Sequence, residues 1–325
     1  MRVTFTIDPF AARGGGSVSF AGVLAEALPT LGVEVGFDLE RAADVLLVFA
    51  HHASERLLIR HRRRGARIVH RLDERIDAVE SPARRAKHRT IAQLNAYADL
   101  TVFQSWFVRD SVGPICWAPT WCVIYNGVDR RRFRPDGPRI PLEGDPALLH
   151  VSWSVGESKR LDRIGELLAV APAGSRLHCV GRHAETGMPW LADPRVNVLG
   201  PLGRDEVAAI MRSADVLFFP SELEPCPNTP LEAIASGLPC LYHPSGGTSE
   251  LMSDAGVPMG SCLRDDLARV LAQRPRLRAR ALARAAEFGS ERAASAYASA
   301  MRETLARAPS PGPSTMRRLW TLCGF

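Results

Sequence analysis

Two carboxylates eight residues apart, Glu224 and Glu232, are the chemistry-bearing groups around which the chain reads most clearly. They lie in Ser221-Glu222-Leu223-Glu224-Pro225-Cys226-Pro227-Asn228-Thr229-Pro230-Leu231-Glu232-Ala233. The apolar run Val216-Leu217-Phe218-Phe219 before them predicts a buried strand. Pro220 and Pro225 then break the chain into a loop. Thr229 suits a helix N-cap, Pro230 the first helical position and Glu232 the third. One acid is thus expected on the loop at a strand's C-terminal edge, the other in the first turn of the next helix. That edge of a parallel sheet is where α/β folds bind ligands. Taken singly, Glu232 reads as the back-reaching half of a capping box, worth ~1 kcal/mol, and Glu224 as a solvated loop acid.

A third group belongs with them. Lys159 closes the loop Ser152-Trp153-Ser154-Val155-Gly156-Glu157-Ser158-Lys159-Arg160, between the strand pattern Ala147–Val151 and a helix marked by Leu161, Ile164, Leu167 and Leu168. Of 41 basic residues only Lys87 and Lys159 are lysine, and an ammonium is a compact point charge where arginine is a planar fork. Two glycine loops also suit phosphate chemistry, because backbone N–H groups at a helix start can approach an anion closely. Gly14-Gly15-Gly16 follows a strand at about residues 2–7 and precedes the helical spacing of Phe20, Val23, Leu24, Ala27 and Leu28. Gly246-Gly247-Thr248-Ser249-Glu250 precedes a second helix start, near Thr248. The first loop is not Gly-x-Gly-x-x-Gly and no acid follows at dinucleotide spacing, which argues against a nicotinamide oxidoreductase.

The string from Glu224 through Leu231-Glu232-Ala233-Ile234-Ala235-Ser236-Gly237-Leu238-Pro239 to Gly246–Glu250 resembles the Glu-x7-Glu signature of family 4 retaining glycosyltransferases of the GT-B fold. Val123-Ile124-Tyr125-Asn126-Gly127-Val128-Asp129, with Phe133 and Pro135, resembles that family's strand-to-hinge segment. The resemblance implies an α/β chain with two Rossmann-like domains facing a central cleft. It places Glu232 on the ribose hydroxyls, Glu224 on a hydroxyl of the transferred sugar and Lys159 on the nucleotide diphosphate. Asn228, Thr229, Gly246, Gly247, Thr248, Gly15 and Gly16 join the donor contacts, and His70 falls on the acceptor side near the reacting sugar. Where family members often carry an arginine this chain has Ser154, so a second positive charge either comes from Arg160 or Arg182 or is absent. Pro227 replaces the family's loop glycine and has no N–H to offer, which leaves donors to Asn228 and Thr229.

The implied reaction is transfer from a nucleotide-sugar, a substrate rather than a cofactor, to a glycan, lipid-linked or small-molecule acceptor. The anomeric configuration is retained, and the departing phosphate assists deprotonation. Positive groups placed where the leaving charge develops make a metal unnecessary, and no Asp-x-Asp stands in a suitable loop. His51-His52 would point apart on an extended chain, which does not suit a metal. A non-catalytic sugar-nucleotide-binding relative on the same scaffold is the alternative.

The chain of 325 residues, 46% hydrophobic, allows two domains of ordinary size. Strand patterns at 44–49, 67–70, 100–103, 122–125, 147–151, 176–180, 195–199, 216–219 and 240–243, with helical stretches between, predict parallel sheets. The expected division is 1–136, a Pro/Gly-rich linker 137–146, a second domain 147–290, a last helix 291–308 crossing back to the first domain, and a flexible tail 309–325. Seven cysteines without a Cys-x-x-Cys pair argue against a disulfide framework. The N-terminus shows no signal pattern and no run is long enough to span a bilayer, so a cytoplasmic protein is expected. Net charge is +6. Basic clusters at 60–64 and 84–89 raise docking on an anionic membrane surface, whereas nothing interleaves bases with aromatics as nucleic acid would require.

Overall fold

The computed structural model describes residues 1–11, 15–76 and 81–313. The chain forms two compact units: Met1–Gly127 together with the chain from Ser290 onward, and Val128–Gly289.

In the first unit β1 (Arg2–Phe5), α1 (Gly16–Ala27), β2 (Glu34–Gly36), β3 (Val45–Phe49), α2 (Glu55–Arg63), β4 (Arg67–Leu72), α3 (Pro82–Asn95), β5 (Leu100–Phe103), α4 (Trp106–Val112) and β6 (Trp121–Val123) follow in turn. The strands make one parallel sheet in the order β2-β1-β3-β4-β5-β6. β3 reads Val-Leu-Leu-Val-Phe and is buried throughout, the apolar run expected of a parallel strand covered on both faces.

The second unit runs β7 (Ala147–Ser152), α5 (Arg163–Val170), β8 (Arg176–Gly181), β9 (Val196–Gly200), α6 (Arg204–Met211), β10 (Val216–Phe219), α7 (Asn228–Ser236), β11 (Cys240–Tyr242), α8 (Thr248–Met252), β12 (Gly256–Pro258), α9 (Leu263–Ala272) and α10 (Arg274–Arg284). Its sheet has the order β12-β11-β10-β7-β8-β9. The chain therefore starts in the middle, builds outward through β8 and β9, then crosses back to build outward through β10, β11 and β12. The order reverses between β7 and β10, and the crevice beyond the strand ends at such a reversal is the binding position of open α/β sheets.

The last helix, α11 (Ser290–Ala306), buries Ala293, Ala294, Tyr297, Ala298 and Met301 in the core of the first unit with Phe20, Leu24 and Phe49. The Tyr297 and Phe20 rings are 5.8 Å apart.

Strands β2 and β12 carry no sequence signal, because Glu-Val-Gly and Gly-Val-Pro are too short and polar for a period to show. Residues 128–136, expected to close the first domain, and the expected linker 137–146 both belong to the second unit. Val128 N–H donates to Phe288 O at 2.8 Å, Phe133 is buried, and Arg212 Nε donates to Pro138 O at 2.6 Å. The start of the expected flexible tail is tied down as well: Ser310 is buried and its N–H donates to Asp99 Oδ1 at 2.6 Å. Residues 314–325, where the rest of that tail falls, lie outside the described residues, as does Gly14. Among the described residues no helix is long and apolar enough to cross a membrane.

Candidate functional site

The reversal point of the second sheet brings Lys159 and Glu224 together. Lys159 follows β7 and Glu224 follows β10, and Lys159 Nζ donates to Glu224 Oε1 at 2.6 Å. Both side chains are largely shielded, 22% and 14% exposed, so the pair is stronger than one fully in water. The loops beneath are joined through their backbones. Glu222 N–H donates to Ser158 O and Gly247 N–H to Glu224 O, both at 2.8 Å. Leu223 N–H donates to Ser245 Oγ at 2.8 Å.

Gly246 has φ +65, and a Cβ there would stand 2.6 Å from Glu224 O. Gly246 is therefore demanded by close approach of two loops. Thr248 is buried and its Oγ1 has no partner among the described residues.

Glu232 sits deeper in α7 than its sequence suggests, which corrects the expected cap. The N-cap is Pro227, not Thr229, and no acid occupies the first turn. The helix begins as soon as the chain leaves Pro227, whose φ of −70 and ψ of 133 set the turn. Glu232 thus has no capping role; its carboxylate lies 3.1 Å from Arg204 Nη2 and is 11% exposed. Burial pushes its pKa up to about 7, against the opposing pull of Arg204 and Arg132. Pro227 and Pro230 also remove two of the four N–H groups a helix start normally presents, leaving Asn228 and Thr229, both half-buried.

The other expected cations are held by acids. Arg160, at φ +47, ion-pairs with Asp162 at 2.9 Å and with Glu222. Arg182 pairs with Glu185 three residues on and lies at the surface. Ser154 is exposed in the loop after β7, and its carbonyl accepts from Ser152 Oγ at 2.7 Å. The short α8, five residues long, contributes first-turn N–H groups rather than a developed dipole.

In the first unit the expectation for His70 is corrected. It lies within β4, fully buried. Its Nε2 bonds Ala50 O at 2.7 Å and its Nδ1 bonds Asn95 Nδ2 at 3.2 Å. Burial drives its pKa down to about 4, outweighing the Ala50 and Asp73 contributions. Both nitrogens are used in holding β3, β4 and α3 together, so the ring has none left for an acceptor.

The polar group at that strand end is Arg71 with Asp73, 2.7 Å apart and buried. Arg71 also donates to Gln104 Oε1 at 2.7 Å and Asn126 Oδ1 at 2.8 Å, and it lies over the Phe20 ring at 4.6 Å. Burial alone would raise the Asp73 pKa, but Arg71 and a hydrogen bond from Ser17 Oγ hold it below the usual carboxylate value. Ser17 stands just inside α1, whose N-cap is Gly15 at φ +91 and whose first residue is Gly16. His51 and His52 do not point apart but lie side by side, with ring centroids 4.3 Å apart and planes tilted by 36°, since a turn rather than a strand carries them. Among the described residues no group of three or more His, Cys, Asp or Glu could hold a metal.

Sequence reasoning missed Arg204 and Glu222, which pair with Glu232 and Arg160. Nothing in Gly203-Arg204-Asp205-Glu206 distinguishes the arginine from an ordinary first-turn residue.

Two doubly wound parallel sheets, with an acid-and-ammonium site at the reversal point of the second, define an α/β chain of the GT-B fold. Residues 159–276 match the family model described as Glycosyl transferases group 1. Glycogen synthase of Mycobacterium tuberculosis is 30% identical over 153 residues, covering 44% of this chain and 36% of that protein. Sulfoquinovosyl transferase SQD2 of Arabidopsis thaliana is 28% identical over 179 residues, covering 50% of this chain and 34% of that protein. The chain thus spans about a third of the length of these curated relatives. Among solved structures, sucrose-phosphate synthase from Thermosynechococcus elongatus superposes with a TM-score of 0.78 at 16% identity, covering 94% of this chain and 100% of that one. HepE of Anabaena in complex with UDP-glucose gives 0.71 at 16% identity, covering 93% and 100%.

Proposed function

We propose that the chain is a retaining, metal-independent glycosyltransferase that moves a sugar from a nucleotide-sugar to a glycan, lipid-linked or small-molecule acceptor. The observation that carries this reading is the Lys159–Glu224 contact across the reversal point of the second sheet, 2.6 Å, inside the segment matching the glycosyltransferase model. The solved relative HepE, which holds UDP-glucose, supports the donor class.

In this reading the diphosphate takes over the Lys159 ammonium, with backbone N–H groups at the starts of α7 and α8 directed at the charge that develops as the bond to the sugar breaks. Glu224, released from Lys159, accepts a hydrogen bond from a hydroxyl of the transferred sugar, and Glu232 accepts from the ribose diol. Arg160 adds positive charge to the same loop once Glu222 yields it. The acceptor attacks on the face the phosphate leaves, and the leaving phosphate oxygen takes the acceptor proton, so no separate base is needed. Docking of the basic clusters at 60–64 and 84–89 on an anionic membrane surface belongs to the same reading. Each cluster also makes internal contacts: Arg60 pairs with Glu40 at 2.6 Å, Arg62 donates to Tyr97 O at 2.7 Å, and Lys87 pairs with Glu74.

The test is product formation. A panel of UDP-, ADP- and GDP-sugars is incubated with mixed acceptors in the presence of EDTA, and nucleoside diphosphate release and the anomeric proton of the product are followed. Release with the donor's anomeric configuration conserved is expected. Tight nucleotide binding with no release over the whole panel would favour a binding protein instead.

A further inference from the structure

Arg204 opens α6 and has one ion-pair partner among the described residues, Glu232, at 3.1 Å. Its guanidinium lies over the buried Phe133 ring, 5.3 Å from the centroid, and its Nε is buried without an acceptor. The Arg204 side chain keeps 36% of its surface exposed, while stacking on an aromatic face and contact with a carboxylate engage the same planar fork. Phe133 belongs to the packed segment ahead of β7, so three stretches of chain converge on one carboxylate.

We propose that Arg204 is a positioning residue for the nucleotide: braced on Phe133, it favours the charged form of the Glu232 carboxylate, the form that accepts hydrogen bonds from a ribose diol. This rests on the reading of Glu232 as the ribose ligand and adds a group that reading does not contain. The electrostatic setting is simple. α7 packs against α6, α8, α10 and residues 285–288. From these elements and the 128–146 segment, Arg204 and Arg132 act on Glu232. Arg132 is shared with Asp205 at 2.7 Å and Asp129 at 3.6 Å. Arg278 is turned to Gly237 O at 3.2 Å. Arg284 bonds the Glu250 and Leu251 carbonyls and lies 3.4 Å from Glu287. Arg204 is thus the cation whose removal falls most directly on Glu232. A carboxyl losing a close cation in a buried site gains proton affinity, and a protonated Glu232 offers the diol a weaker acceptor.

Two measurements test this, one independent of the ligand. With 13C-labelled glutamate carboxyls, and Glu232→Gln to assign the resonance, the Glu232 titration midpoint should rise in Arg204→Gln and rise less in Arg204→Lys, which keeps the charge but not the fork stacked on Phe133. An unmoved midpoint in Arg204→Gln overturns the proposal, whether or not a nucleotide is found to bind. UDP-glucose binding then ties the pair to function, and its phosphodiester does not titrate near neutrality. Arg204→Gln should bind about tenfold more weakly per unit by which the midpoint has risen, at a pH below both midpoints, and recover wild-type affinity at about pH 9. A loss that persists unchanged at high pH marks a merely structural arginine and overturns the proposal. If Glu232→Gln binds UDP-glucose as the wild type does at every pH, it is the ribose reading that fails, while the midpoint shift still reports the pair.

Discussion

Lys159 and Glu224 lie on loops that leave neighbouring parallel strands, and their charged atoms meet at 2.6 Å where the strand order of the second sheet reverses. The pair neutralises itself while the site is empty. In the proposed function an incoming diphosphate would change that balance, bringing the stronger anion to the ammonium and freeing the carboxylate for the sugar.

Removing the ammonium should therefore discriminate between phosphate counts. Lys159→Ala is expected to lose a charge-assisted hydrogen bond worth about 1.5–3 kcal/mol, or about 10- to 100-fold in affinity. UDP binding should fall by that amount and UMP binding by much less, as calorimetry would show. Equal losses for both nucleotides would detach Lys159 from the diphosphate.

Glu224→Gln should do something different. It removes the competitor for Lys159 and keeps the shape of the loop, so UDP binding is expected to hold or tighten. Sugar transfer should drop at least about tenfold, since the amide no longer accepts as a carboxylate does. A parallel loss of UDP affinity would mean that Glu224 serves the nucleotide rather than the sugar.

Glu232 has a folded-state pKa of about 7, raised by burial despite Arg204, above its unfolded value. A carboxyl shifted upward favours the folded state while protonated, so its stabilising effect is complete below the unfolded pKa and is lost as pH rises to about 7. Glu232→Gln lacks this loss. Its stability relative to wild type should climb between about pH 4.5 and 7 by about 1–3 kcal/mol, measured by denaturant unfolding across that window. A flat difference would mean that the carboxyl is solvated.

Gly246→Ala places a methyl against the Glu224 carbonyl at a positive φ. The sheet below does not depend on that loop, so far-UV circular dichroism should be retained while UDP affinity falls at least about tenfold. Wild-type affinity in this variant would show that the close contact between the two loops is not needed for binding.

Much of this was legible in the sequence because the relevant signals are local. The apolar run of β10 and the glycines at 246–247 announce a loop-and-helix edge without any tertiary information, and Pro220 breaks the chain where the loop begins. What was not legible depends on long-range pairing. Whether Glu232 caps its helix or lies buried depends on where α7 starts and on Arg204, 28 positions earlier in the chain. His70 looked like a rim histidine because the strand was expected to end there. β4 continues to Leu72, and the two extra residues put the ring in the core. Likewise, prolines at 138 and 141 suggested a free linker, but Arg212 reaches from α6 to bond the carbonyl of Pro138, a contact no window of sequence contains.

The central claim is that a nucleotide diphospho-sugar is held by the Lys159 loop and by Glu232 of α7 in the second unit. Its most direct test is calorimetric titration of a panel of nucleotide-sugars into the wild type, Lys159→Ala and Glu232→Gln. At least one donor should bind the wild type, with both substitutions weakening it about tenfold or more. A properly folded wild type that binds none of the panel, or binds one with an affinity indifferent to both substitutions, would contradict the account.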